Sequence, residues 1–176
     1  MLDDPRKSPE ALPPLENGKR LTRAEFERRC DAVPSLKKAE LIEGEAHMPS
    51  PVSAHRHGLP PGHVGGWLSR RPGAQLTVDS SVRRDAENES QPDALLMIEP
   101  GHAGHARISD DVFVEGAPEL IVEIASSSVT HDVGRKLKVD CRDGVREYVV
   151  WRVRDQTIDW HARSRFAWRH SRLPVS

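Results

Sequence analysis

The chain has 176 residues, enough for one domain with a real core and too few for two comfortable ones. Its net charge of -1 excludes a uniformly basic nucleic-acid binder, and two cysteines, Cys30 and Cys141, exclude a disulfide framework and agree with a reducing compartment. No apolar run approaches the length of a membrane span, and the first 14 residues are charged and proline-rich instead of signal-like, so a soluble cytoplasmic protein is expected.

In chain order, residues 1–20 read as a flexible arm, with prolines at 5, 9, 13 and 14. The domain is expected over 21–170, with 171–176 as a tail. Thr22 with Glu25 forms a capping box that opens a short helix with Phe26 and Cys30 inward. Residues 39–48 predict a strand pair turning at Glu43-Gly44. A helix over 55–68 is shortened or broken by Pro60, Pro61, Gly62, Gly65 and Gly66. Residues 75–82 predict a strand, 85–90 a polar turn, 91–98 a buried strand, 101–111 a loop and 119–125 a second buried strand. The next helix runs from Thr130, its cap, to a stop at Asp143-Gly144, with Asp132 at the positive end of its dipole and Val133, Leu137 and Cys141 facing the core. Residues 147–153 and 157–162 read as a hairpin across 154–156. This order predicts an α/β (α+β) sandwich, a mixed sheet flanked by helices.

Two acidic residues stand out in the buried strands. Asp93 lies at the mouth of Gln91-Pro92-Asp93-Ala94-Leu95-Leu96-Met97-Ile98, and Glu123 interrupts Glu119-Leu120-Ile121-Val122-Glu123-Ile124-Ala125. A carboxylate in an apolar strand needs a partner. Two of them on adjacent strands would suit a divalent cation. Lys136, on the flank of the helix face, supplies a cation nearby, a place that Arg135 or Lys138 would also fill. Carboxylates holding Mg²⁺ and an ammonium steadying charge on phosphorus oxygens make up the chemistry of phosphodiester hydrolysis.

Five segments in order carry a family resemblance. They are Glu40-Leu41-Ile42-Glu43-Gly44-Glu45 with Met48-Pro49-Ser50-Pro51, Gln91-Pro92-Asp93, Val114-Glu115-Gly116-Ala117-Pro118-Glu119-Leu120-Ile121-Val122-Glu123, Lys136-Leu137, and Gly144-Val145-Arg146-Glu147-Tyr148. Over roughly residues 21 to 160 the chain resembles the bacterial putative restriction endonuclease family, a branch of the PD-(D/E)XK nuclease superfamily. The resemblance implies a restriction-endonuclease-like core, Asp93 and Glu123 as metal ligands, Mg²⁺ with Mn²⁺ as substitute, DNA as substrate, and a homodimer for double-strand cleavage. The superfamily lysine stands two residues after the glutamate, where this chain has Ala125; in this family it looks to have moved to the following helix, which gives Lys136 the catalytic role. The chain departs from the family pattern twice. Asp140 replaces a tyrosine four residues beyond the lysine, where it would reach Lys136 as a helix-face ion pair. Arg152 replaces an aspartate ending the next strand, where it would oppose a bound cation. These departures give the alternative reading, an inactive nuclease fold acting as a DNA-binding or protein-interaction module.

Other readings are weaker. Glu40 and Glu45 belong to the family-like segment and would supply a further acidic group near the metal, but Glu40 reads equally as a surface residue. His55-x-His57 with His63, or His102-x-x-His105, would suit zinc but lie in Gly- and Pro-rich stretches. Ser126-Ser127-Ser128 lacks the G-x-S-x-G pattern, and no phosphate-binding glycine motif occurs. Trp67, Trp151, Trp160 and Trp168 read as core or interface residues before base-stacking platforms. Residues 135–172 hold eleven Lys and Arg against five Asp and Glu, so the near-neutral total conceals a basic segment that would present one face to phosphates or, read equally, form a solvated surface.

Overall fold

A computed structural model describes residues 12–48, 73–125, 131–164 and 167–175. Within them, Thr22 caps α1 (Arg23–Asp31), its side chain accepting from the Glu25 N–H, and Phe26 is buried beneath it. The expected strand pair forms as β1 (Glu40–Ile42) and β2 (Glu45–His47), with Glu43 and Gly44 both at positive φ in the turn. The strand expected over 75–82 is divided. β3 (Ala74–Val78) ends before Asp79, whose φ of 48° turns the chain away, and β4 (Val82–Arg83) joins a different sheet. The polar turn closes into β5 (Glu89–Ser90), followed by β6 (Ala94–Ile98). The expected loop over 101–111 contains part of a 3-10 turn (Pro100–His102) and β7 (Arg107–Ile108), ahead of β8 (Val114–Glu115) and β9 (Leu120–Ala125). Helix α2 (His131–Arg142) leads to β10 (Glu147–Arg152) and β11 (Thr157–Arg163). A further strand, β12 (Trp168–Pro174), which the sequence reading did not foresee, pairs with β11 from Arg163↔Trp168 to Thr157↔Pro174. The broken helix expected over 55–68, the Thr130 cap and the three serines lie outside the described residues.

The fold is α+β, with two mixed sheets of six strands. One has the order β2-β1-β5-β4-β8-β7 and the other β12-β11-β10-β9-β6-β3. The second is the mixed sheet expected from the sequence; the first is made of strands of two or three residues, too short to show a periodicity. Within the second sheet β9 and β10 are parallel. Parallel neighbours need a crossover, and α2 provides it. Side chains at alternate positions of β6, β9 and β10, namely Leu95, Met97, Ile121, Tyr148 and Val150, join Val82, Ala106 and Val114 in one buried cluster, with Leu137 of α2 packed against it. Ala94, Leu120 and Val122 form a separate buried cluster on the opposite face.

Helix α2 turns a charged face inward. Leu137 and Cys141, expected to face the core, are half-buried, whereas Lys136, Val139 and Asp140 are buried. Asp140 does not bond to Lys136 as the spacing suggested. Its Oδ1 accepts from Arg84 Nη2 at 2.8 Å, and Arg84 Nη1 donates to the Gly116 carbonyl at 2.6 Å. Burial pushes the Asp140 carboxyl up to about 6, held back by Arg84 and then Lys136. This pair fastens α2 to the loop that follows β4. Asp140→Ala, which strands a buried guanidinium, is expected to lower stability by about 3–5 kcal/mol, whereas the double change Asp140→Leu with Arg84→Met recovers most of that loss. Urea unfolding of the three proteins checks this; a double variant as weak as the single would show that the charges contribute more than their mutual compensation.

Candidate active site

Antiparallel register positions the first two carboxylates. Ala94 pairs with Val122, so Asp93, one residue before β6, stands across from Glu123 on β9. The Ile124 N–H donates to Asp93 Oδ2 at 2.7 Å, and Lys38 Nζ donates to Asp93 Oδ1 at 3.0 Å. Glu123 is buried on the face that also carries Ile121, turned toward the first sheet and α2. There Lys136 Nζ lies 2.6 Å from Glu123 Oε1 and 2.7 Å from Glu40 Oε1. The Glu123 oxygen receives no aligned hydrogen bond, so the contact is one of charge. Glu40 Oε1 also accepts from the Gln91 N–H at 2.7 Å, which ties β1 to the segment just before Asp93.

The three residues singled out from the sequence, Asp93, Glu123 and Lys136, therefore come together. Glu40 joins them, as one of its two sequence readings allowed, and so does Lys38, to which the sequence reading assigned no role. Glu40 is buried in β1, so its reading as a surface residue is corrected. The available signal was the same one that marked Asp93, an acidic residue at the head of an apolar strand, but three residues of strand made it faint. Glu45 sits apart from the cluster, paired with Arg135 at 3.3 Å.

The electrostatics follow from burial. Burial pushes Glu123 up to about 7; Lys136 opposes the rise, and Glu40 and Asp93 add to it. For Lys136, burial works against the charge, but Glu123 and then Glu40 outweigh it and hold the ammonium firmly protonated. Lys38 is likewise raised against its own burial, chiefly by Asp93. Hard oxygen donors of this kind suit a divalent cation. Among the described residues no three acidic, histidine or cysteine side chains converge into a closed cage. Magnesium does not require one, since one or two carboxylates with water and substrate phosphate complete its shell. The donor set fits such an ion.

The reading of His102 with His105 finds no support in the geometry, and that of His55, His57 and His63 is not tested by it. His102 lies 3.7 Å from Glu99, His105 contacts Arg146 at 2.9 Å, and the stretch with His55, His57 and His63 is outside the described residues, as is Trp67. Arg152 faces Asp159 in place of the carboxylates, bonding it through Nε.

The profile of the Uma2 family, described as putative restriction endonuclease, matches residues 23–174. The chain belongs to the Uma2 family. A crystal structure of a putative nuclease belonging to DUF820 from Anabaena variabilis superposes with a TM-score of 0.63 at 16% identity, over 85% of this chain and 83% of that one. At that identity the likeness speaks for the fold, and it places this Uma2 protein on the same architecture. No curated protein matches the chain.

The coupling between Glu123 and Lys136 has a pH signature. The Glu123 carboxyl is raised from about 4.5 to about 7, so the folded state holds its proton more tightly than the unfolded one. The stability this contributes is full below about pH 4.5 and is lost as the pH rises toward 7. Lys136→Met removes the main charge that favours ionised Glu123 and extends the loss to higher pH. Urea unfolding is expected to show a wider gap between variant and wild type at pH 8 than at pH 5; an equal gap would mean that Lys136 does not compensate Glu123.

Proposed function

We propose that this protein is a metal-dependent endonuclease that hydrolyses DNA phosphodiester bonds, with Asp93 and Glu123 as ligands for Mg²⁺ or its substitute Mn²⁺ and Lys136 as the catalytic ammonium. One observation carries the reading: two strand carboxylates meet across one antiparallel register while a buried lysine from the crossover helix touches the second of them. Family membership supports it. A divalent cation held there would supply polarisation of the phosphate and a bound water of lowered pKa. The chain's own residues do the rest. Lys136, kept charged by Glu123 and Glu40, offers positive charge to the phosphorus oxygens as negative charge builds on them. Glu40 acts as a positioning residue, holding Lys136 from the side opposite Glu123. Ile124 N–H fixes the Asp93 carboxylate, so one ligand orientation is set before substrate arrives. Lys38 adds a second ammonium beside Asp93, at the rim of the cluster. A homodimer, which would bring two sites to the two strands of a duplex, enters this reading through the superfamily resemblance.

The alternative, a nuclease fold without nuclease chemistry, drew its argument from Asp140 and Arg152. Asp140 bonds to Arg84 and Arg152 to Asp159, so neither residue takes Lys136 or confronts the carboxylates, and that argument loses its footing.

Incubation with supercoiled plasmid and Mg²⁺ is expected to give nicked product that EDTA abolishes. Asp93→Ala and Glu123→Ala should remove cleavage and calorimetric Mn²⁺ binding together. Lys136→Ala should slow cleavage by about 10²–10³-fold while Mn²⁺ still binds. Wild-type rates in all three variants would place the site elsewhere, and a wild type that binds no Mn²⁺ would favour the inactive module.

A further inference from the structure

The face of the second sheet that carries Glu123 continues beyond the cluster. Glu123 pairs with Val150, Val150 with Asp159, and Asp159 with Arg172, so one row runs straight across β9, β10, β11 and β12. Asp93 heads the same row from the other side. Asp159 is buried, and it gathers cations. Arg152 Nε and Arg172 Nε both donate to it, the latter at 2.6 Å, Arg172 Nη2 donates at 3.1 Å, and His170 Nε2 lies at 3.2 Å. His161, stacked on His170 with ring centroids 4.6 Å apart, borders the group. The arginines hold the Asp159 carboxyl far below the ordinary range, so it stays an anion.

Asp159 does not exhaust the cations it orders. It takes two of Arg172's five N–H donors, and the Arg172 side chain remains 55% exposed. Arg152 also stands 3.9 Å from the exposed Asp155. Across residues 152–172 the sequence has six arginines against two aspartates, so the surplus is positive. A guanidinium with its plane fixed and its remaining N–H groups in solvent is prepared for a phosphate oxygen pair.

The geometry points to a second anion site on this face: Arg152 and Arg172, positioned by Asp159, bind the DNA phosphodiester backbone a few nucleotides from the bond addressed by Asp93 and Glu123. The inference rests on the nuclease reading. Strands lie about 4.8 Å apart, so Arg172, three strands from Glu123, is about 14 Å away along the row, and Arg152, one strand over and two residues on, about 8 Å. With an axial rise of 3.4 Å per nucleotide, these distances correspond to roughly two to four nucleotides. The ordinary alternative is a surface ion network with no ligand, and stability and DNA binding tell the two apart.

The test is anisotropy of a short labelled duplex titrated with the full chain in EDTA, across a range of NaCl, with thermal melting as a check on folding. Arg172→Gln is expected to weaken binding roughly tenfold and to reduce the salt slope by about 0.9, the loss of one phosphate contact, with little change in melting. Arg152→Gln should act in the same direction; Arg152→Lys, which keeps the charge, should preserve the slope even if packing of the β10–β11 hairpin suffers. Arg169→Gln removes the same charge from the opposite face of β12 and should leave slope and affinity near wild type. Equal effects of Arg172→Gln and Arg169→Gln, no effect of either, or no duplex binding by wild type would overturn the site. Plasmid nicking with Mg²⁺ is measured in parallel. Nicking without a specific Arg172 effect removes this site and leaves the nuclease reading intact; a specific Arg172 effect on binding without nicking does the reverse.

Discussion

Lys136 is held between two buried carboxylates, Glu40 and Glu123, at 2.7 and 2.6 Å. Each of the three charges is intolerable in that place without the others, because desolvation of an isolated ion far exceeds what packing returns. Glu40 comes from the first sheet, Glu123 from the second and Lys136 from the crossover helix. A single electrostatic requirement therefore fixes how three elements sit against one another. It also explains why α2 shows the core a charged stripe, since Lys136 and Asp140 are one turn apart on the buried side and each must meet an opposite charge. Asp140 meets Arg84, and the two pairs stitch two successive turns of the helix to the first sheet's side of the molecule.

The hydrophobic core and this charge cluster are not separate designs. Ile121 and Glu123 are two residues apart on β9 and face the same way, as do Tyr148 and Val150 on β10. Moving along the strand thus takes the chain from packed apolar contact to packed charge within one step of the pleat. The Tyr148 hydroxyl stands at that boundary, buried with no hydrogen-bond partner among the described residues, and burial, then Glu123 and Asp140, drive its pKa well above normal. A tyrosine there remains neutral.

How far the sequence discloses this arrangement depends on the length of each element. β6, β9, β10 and α2 are five residues or longer, and their patterns gave both their identity and the acidic residues that break them. β4, β5, β7 and β8 have two residues each, below the length at which alternation can be seen, so only the β1–β2 pair of the first sheet was legible, and the burial of Glu40 was not. Lys38 lies outside any element, and only the path of the chain before β1 brings it to Asp93. β12 failed for another reason. Its side chains, Trp168 to Pro174, are mostly exposed and polar, so the strand is defined by backbone pairing with β11 and not by burial. Apolar spacing on α2 found Leu137, which packs against the core, but not Lys136 and Asp140, because the deepest positions of the helix include ions.

A net charge of -1 is poorly matched to the polyanionic partner of the proposed function, and the sheet register offers a way to reconcile the two. Charge is sorted along one row: carboxylates at Asp93 and Glu123, an apolar spacer at Val150, then a buried aspartate that gathers arginines at the far edge. The two halves nearly cancel in the total, yet they are separated by about 10 Å, comparable to the Debye length at 0.1 M salt, so each presents its own sign to a ligand lying across the face. The carboxylates would repel a phosphate unless a cation intervened, whereas the arginines attract it directly. Under the proposed function, backbone affinity and the requirement for metal would fall to different strands of one sheet, so that a duplex would be held by the edge before the charge balance at the cluster is settled.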